Sequence, residues 1–120
     1  MKQKLLIVED SDLNRDLLVQ IFEDAYDIVV AADGPSAVEI AAAGHPDLIL
    51  MDIGLPLLSG LEAVRAIRAT GTRTPIIAVS SRVMPGDREQ AIDAGCDDFV
   101  SKPIDDDLLV ELVKRHLGPR

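Results

Sequence analysis

Tryptophan is absent, and two phenylalanines with one tyrosine leave aromatics at 2% of the chain. The interior must therefore be filled by Val, Ile, Leu and Ala, the usual packing between a parallel sheet and its helices, and apolar residues do reach 48%. The one cysteine, Cys96, cannot form an internal disulfide, which suits a reducing compartment. Basic residues are scarce: 12 Lys and Arg against 21 Asp and Glu give a formal charge of −9, with no basic stripe. Direct binding to nucleic acid is thereby disfavoured, because Lys and Arg contacts to phosphate supply most of that affinity. No apolar run approaches the roughly 18 residues of a membrane span, and Met1 to Leu6, with two lysines, has no signal-peptide organisation. The expected setting is cytoplasmic. Also missing are Gly-x-x-x-x-Gly-Lys-Ser/Thr, Gly-x-Gly-x-x-Gly and His-Glu-x-x-His, so no motif supports a P-loop, a dinucleotide site or a zinc hydrolase.

What is present is an alternation. A chain of 120 residues suits one domain over residues 1–120, with no linker, repeat or second folding unit. Leu5 to Val8, Ile28 to Ala31, Leu48 to Met51 and Ile76 to Val79 are continuous apolar runs, as expected of strands covered on both faces, and Phe99-Val100 is a weaker fifth. Helical spacing fills the gaps. Ser11 can cap a first helix with Leu13, Leu17, Leu18, Ile21 and Phe22 on one face. Pro35 suits the first position of a second, which Gly44 can close before His45-Pro46. Leu61, Val64 and Ile67 mark a third that ends near Gly71; a fourth covers Met84 to Ala94, stopped by Gly95; Leu108, Leu109, Leu112 and Val113 stripe a fifth ending near Leu117. Five strand–helix alternations predict an α/β fold of parallel strands joined by right-handed helical crossovers.

In such sheets ligands sit beyond the carboxyl ends of the strands. Glu9 and Asp10 follow the first strand, Asp52 the third, Ser80 the fourth and Lys102 the fifth, so these groups converge if those strands are neighbours. Carboxylates crowded together repel, at a cost of about 4 kcal/mol for a pair about 4 Å apart at an effective dielectric near 20. A hard dication with oxygen ligands offsets that, and magnesium typically takes one or two carboxylates, waters and a phosphate. Lys102 adds a second positive charge. A carboxylate in such a place can act as a nucleophile towards phosphorus, a reaction that mainly demands positioning and charge neutralisation.

With Ile7-Val8-Glu9-Asp10, Leu50-Met51-Asp52-Ile53 followed by Leu55-Pro56 and Gly60, Ala78-Val79-Ser80-Ser81, and Phe99-Val100-Ser101-Lys102-Pro103, the chain closely resembles the receiver domains of two-component response regulators over essentially its whole length. The resemblance implies a flavodoxin-like (βα)5 three-layer sandwich, with a parallel sheet in the order 2-1-3-4-5 and helices on both faces. It implies that Asp52 accepts a phosphoryl group from a sensor histidine kinase or a histidine phosphotransfer protein. Asp10, Asp52 and the Gly54 backbone carbonyl would ligate Mg2+, with Glu9 acting through a water. Lys102 would pair with a phosphoryl oxygen, and the Lys102–Pro103 peptide is expected to be cis. Ser80 would bond another phosphoryl oxygen and vacate space for the Phe99 ring, changing the surface of the fourth helix, fifth strand and fifth helix that a downstream protein would bind. No output domain is expected after the fifth helix. Two positions depart from the family's commoner pattern: Gly54 lacks a side chain, and Phe99 replaces Tyr and so removes a phenolic hydrogen bond.

Plainer roles also follow from the residues. Phe99 serves equally as core packing, Cys96 as a buried small residue, His45 and His116 as surface residues at helix ends, and Arg65, Arg68, Arg73 and Arg82 as solvated charges. Asp105-Asp106-Asp107 suits the acidic first turn of the last helix. Two other functions compete. An aspartyl-phosphate phosphatase would want Asp-x-Asp, whereas Asp52 is followed by Ile53 and Gly54; a flavodoxin-type flavin protein would find its phosphate repelled by Glu9 and Asp10.

Overall fold

The computed structural model describes residues 2–54, 59–80, 85–101 and 105–118. Within them strand and helix alternate as β1 (Lys4–Val8), α1 (Asp12–Phe22), β2 (Asp27–Ala31), α2 (Gly34–Gly44), β3 (Leu48–Asp52), α3 (Gly60–Ala69), β4 (Ile76–Ser80), α4 (Asp87–Ala94), β5 (Asp98–Ser101) and α5 (Asp106–Leu117). All pairings are parallel and the order is β2-β1-β3-β4-β5, the flavodoxin-like arrangement that the resemblance implies.

The sheet is buried on both sides, and the period-2 alternation of strand side chains sorts the core into two layers. Leu6, Val8, Ile49, Met51, Ile76 and Ala78 pack against α2, α3 and α4 through Ala37, Ala41, Ala63, Val64, Ile67, Ala91 and Ala94. Leu5, Ile7, Leu48, Leu50, Ile77 and Val100 pack against α1 and α5 through Leu18, Phe22, Leu109, Leu112 and Val113. The first layer is rich in alanine, which lets its helices approach the sheet closely. Phe22 and Tyr26 share the second, with ring centroids 5.9 Å apart.

Helix starts follow the expected capping chemistry. Ser11 Oγ accepts from the Asn14 amide (3.3 Å), Asp33 Oδ1 from the Ser36 amide (2.8 Å), Ser59 Oγ from the Glu62 amide (3.2 Å) and Asp105 Oδ1 from the Leu108 amide (3.1 Å). Three expectations are corrected. Leu13 and Leu17 do not join the buried stripe of α1 but are 70% and 50% exposed, leaving Leu18 and Phe22 to face the sheet. Gly44 is the last residue of α2, and the left-handed residue that ends the helix is His45, at φ 47°. The fourth helix begins at Asp87, because Gly86 takes φ 91°, outside helical space; Met84 lies outside the described residues.

Candidate functional site

The parallel order brings the carboxyl ends of β1, β3 and β4 side by side, and the predicted polar residues sit there. Glu9 follows β1, Asp52 is the last residue of β3 and Ser80 the last of β4; all are buried, while Asp10 is exposed. Glu9, Asp10 and Asp52 each offer a carboxylate oxygen, and these atoms lie within 4.8 Å of one another. At such separations like charges repel by several kcal/mol at the intermediate dielectric of a protein rim, and a positive charge held there would offset that repulsion.

Backbone geometry holds the acids in place. The Glu9 amide donates to the Ala31 carbonyl (3.0 Å), tying the end of β1 to β2, and Glu9 Oε2 accepts from the Ser11 amide (3.2 Å) at the head of α1. Asp52 Oδ1 accepts from the Gly54 amide (3.0 Å), which sets the rotation of the carboxylate, while the Ile53 amide donates to the Val79 carbonyl (3.1 Å) and ties this corner to β4. At Gly54 a Cβ would rest in ordinary contact, 3.8 Å from Asp52 Oδ1, so among the described residues nothing steric demands glycine there. Phe99 is half-buried in β5 opposite Ala78 and packs against the core layer of α2, α3 and α4. The expectations for Lys102, Pro103, Ser81, Arg82, Leu55 and Pro56 lie outside the described residues.

Three features escape the sequence. Arg15 reaches back from α1 to donate to the Glu9 carbonyl (3.0 Å) while pairing with Asp12, so a helix side chain clamps the acidic corner. Gly60 opens α3 so close to β3 that an added Cβ would meet the Asp52 carbonyl oxygen at 2.3 Å and Ile53 Cα at 2.5 Å. Its amide donates to the Ile53 carbonyl (3.0 Å). The motif contains Gly60, but the reason for it appears only when two elements meet.

The third feature corrects two surface assignments. Arg68 is not solvated: its guanidinium donates to the carbonyls of Gly95 (3.0 Å), Thr72 (3.0 Å) and Thr74 (2.7 Å) and to Asp97 Oδ2 (2.9 Å). His116 is likewise not a plain surface residue, since its Nε2 donates to Asp98 Oδ2 (3.2 Å) and only 21% of its side chain is exposed. His45, Arg65 and Arg73 are exposed as expected. Cys96 is buried, and burial pushes its thiol up to about 11; Arg68 opposes this and Asp97 adds to it. Such a thiol is inert at neutral pH.

Comparison with known proteins agrees with this geometry. Residues 5–114 match the model of the response regulator receiver domain. The chain is 38% identical to the polar-differentiation response regulator DivK of Brucella abortus over 121 residues, covering 98% of each protein. It is 39% identical to part of hybrid signal transduction histidine kinase I of Dictyostelium discoideum, spanning 96% of this chain and 7% of that protein. Among solved structures, the receiver domain of the Pseudomonas aeruginosa sensor histidine kinase PA1611, crystallised with magnesium in its active-site cleft, superimposes with a TM-score of 0.90 at 37% identity, covering 99% of this chain and 100% of that one. Chemotaxis protein CheY4 of Vibrio cholerae gives 0.89 at 28% identity, covering 96% and 98%. The chain belongs to the response regulator receiver family of two-component signalling. Within that family it is DivK-like in sequence along its length. No helix among the described residues is long and apolar enough to cross a membrane.

Proposed function

We propose that this receiver is a phosphoacceptor in a phosphorelay: Asp52 takes a phosphoryl group from a phosphohistidine on a sensor histidine kinase or histidine phosphotransfer protein, and the protein signals by changing what it binds. The observation that carries this reading is the meeting of the Glu9, Asp10 and Asp52 carboxylates within 4.8 Å at the carboxyl rim of the sheet. The three are oxygen donors, without imidazole or thiol, and that set fits a hard dication such as magnesium. Asp10, Asp52 and the Gly54 carbonyl would hold it directly, and Glu9 through a water. When bound, the ion supplies positive charge to the phosphoryl oxygens.

The protein's own groups do the rest. An Asp52 carboxylate oxygen attacks phosphorus; as the new O–P bond forms, the P–N bond of the donor breaks and its electron pair stays on the imidazole nitrogen, which takes up a proton. Burial of Asp52 limits water at the acyl phosphate, and the Gly54 amide keeps the carboxylate oriented. Lys102 pairs with one phosphoryl oxygen and Ser80 donates to another. Movement of Ser80 makes room for the Phe99 ring, and the face formed by α4, β5 and α5 then presents a different surface to a downstream protein.

Residues 1–120 act as one receiver module, as a shuttle or an allosteric ligand rather than an enzyme acting on outside substrates. Kinship over nearly the whole of DivK supports this. A cytoplasmic setting suits the lone unpaired Cys96. The excess of acids, 21 against 12 basic residues, favours protein partners over nucleic acid.

The test is the intact mass of wild type and Asp52→Ala after incubation with magnesium and acetyl phosphate. Wild type alone should gain one phosphoryl group. An equal gain on the variant would move the acceptor elsewhere, and no gain on either would end the reading.

A further inference from the structure

β5 is the edge strand of the sheet and has β4 as its one neighbour. Alternate residues of such a strand turn their amide and carbonyl away from the ladder, and uncovered groups of this kind are costly if shielded from water and adhesive if not. At Phe99 side chains meet both groups. The Phe99 amide donates to Asp98 Oδ1 (2.9 Å), and the Phe99 carbonyl accepts a longer bond from Arg88 Nη1 of α4 (3.4 Å). Arg88 Nη2 also lies 3.6 Å from Asp98 Oδ1. The other oxygen of the same carboxylate, Oδ2, accepts from His116 Nε2 in the last turn of α5 (3.2 Å).

One carboxylate thus joins three elements around the backbone of one residue. Its side chain is 18% exposed and that of His116 21%, so these bonds are only partly screened by water, whereas Arg88 at 59% is mostly solvated. Burial works against the charge on Asp98, yet its carboxyl is held below the ordinary 3.8, because the Phe99 amide, the His116 ring and the Arg88 guanidinium together outweigh burial. The carboxylate is therefore the hub, and Arg88 and His116 are held through it.

We propose that Arg88, Asp98 and His116 form a latch that sets the resting position of Phe99, and that switching on phosphorylation works against this latch. The inference rests on the reading given above, in which the Phe99 ring moves. Arg88, Asp98 and His116 are positioning residues: they act through Phe99 and do not touch the reacting atoms. Arg88 sits on α4 and His116 on α5, so displacing either helix loosens the grip on Phe99, and moving Phe99 loosens the helices in return. Weakening the latch lowers the cost of the switched packing and raises its population before any phosphate arrives.

Two measurements on the full isotope-labelled chain test this. In unphosphorylated protein, Asp98→Ala should speed hydrogen exchange of the Phe99 amide about tenfold, the factor expected for one ordinary hydrogen bond, while the amides of Leu6 and Leu50 in the centre of the sheet keep their protection. Unchanged exchange at Phe99, or equal acceleration everywhere, overturns the latch. Next, the Phe99 amide resonance is followed in wild type with and without acetyl phosphate and magnesium, which defines a line between resting and switched positions. Without acetyl phosphate, Arg88→Ala and His116→Gln, changes on the periphery that spare the core, should each lie part of the way along that line. A merely structural role would move the resonance off the line. If wild type shifts but the variants stay at the resting position or leave the line, the latch fails and the phosphoacceptor reading stands. If wild type gains its phosphoryl group without a shift at Phe99, the moving ring and the latch's part in switching fall together.

Discussion

Gly60 shows how a residue with no reactive group can decide whether Asp52, the proposed acceptor, is well placed. The first turn of α3 touches the backbone that carries Asp52, and a methyl group at position 60 would meet the Asp52 carbonyl oxygen at 2.3 Å and Ile53 Cα at 2.5 Å. Both are backbone atoms, so a rotamer change cannot relieve the clash; the helix or the end of β3 must shift. Overpacking usually costs about 1–3 kcal/mol and can cost more where the obstacle is backbone. We expect Gly60→Ala to lower the free energy of urea unfolding by about 3 kcal/mol or more. Its rate of phosphorylation by acetyl phosphate should fall as well, when measured well below the unfolding transition. A variant with full stability and rate would show that α3 can slide away freely. Gly54, two residues beyond Asp52, makes the contrast: among the described residues a Cβ there meets nothing closer than Asp52 Oδ1 at 3.8 Å, an ordinary contact.

Elements are joined at their ends, and at the end of α3 the fastener is Arg68. Its guanidinium spans three carbonyls, of Thr72, Thr74 and Gly95, together with the Asp97 carboxylate, which itself accepts from the Ile76 amide at the start of β4 (2.9 Å). Gly95 adopts φ 123°, and a Cβ there would meet Arg68 Cγ at 2.7 Å, so the chain passes over the arginine stem with no room to spare. Hydrogen bonds to charged groups contribute about 1.5–3 kcal/mol, and removing this donor orphans several carbonyls at once. Arg68→Ala should therefore lose about 2–4 kcal/mol in urea unfolding. Lysine should recover less than half, since an ammonium cannot reproduce the fork. A loss below about 0.5 kcal/mol would mean that water replaces these bonds without cost. The order and kind of the elements were legible in the sequence, because strands buried on both faces are continuous apolar runs and Ser11 and Pro35 are chemically suited to open helices. Which leucines of α1 face inward was not, since Leu13 and Leu17 have the same four-residue spacing as Leu18 and Phe22 and only contact with the sheet separates them. The roles of Arg68 and His116 were equally hidden, for their partners lie 27 and 18 residues away at Gly95 and Asp98.

For the whole molecule the governing fact is the imbalance of charge, −9 in formal terms, with part of the acid gathered at one rim of the sheet. Convergence of Glu9, Asp10 and Asp52 was readable from their places after apolar runs once parallel order was assumed; the rigidity that keeps them together against their repulsion was not. That rigidity comes from the Ala31, Ser11, Gly54 and Val79 backbone bonds and from Arg15, whose guanidinium binds the Glu9 carbonyl. A fold that holds acids together in this way sets like charges side by side, and the dication proposed above would offset their repulsion. Magnesium should thus raise the thermal midpoint of the wild type more than sodium chloride at equal ionic strength, because general screening acts on every surface charge while binding acts at one place. At ten times its dissociation constant the ion adds about 1.4 kcal/mol, enough to move the midpoint by a few degrees in a domain of this size. Asp52→Asn should behave in the opposite sense on two counts: a higher midpoint than wild type without magnesium, as one repelling charge is gone, and a much smaller gain when magnesium is added. Equal gains in the two proteins would place the binding elsewhere on the acidic surface. A lower midpoint for the variant without magnesium would show that attraction from neighbouring groups, and not repulsion within the cluster, dominates at Asp52.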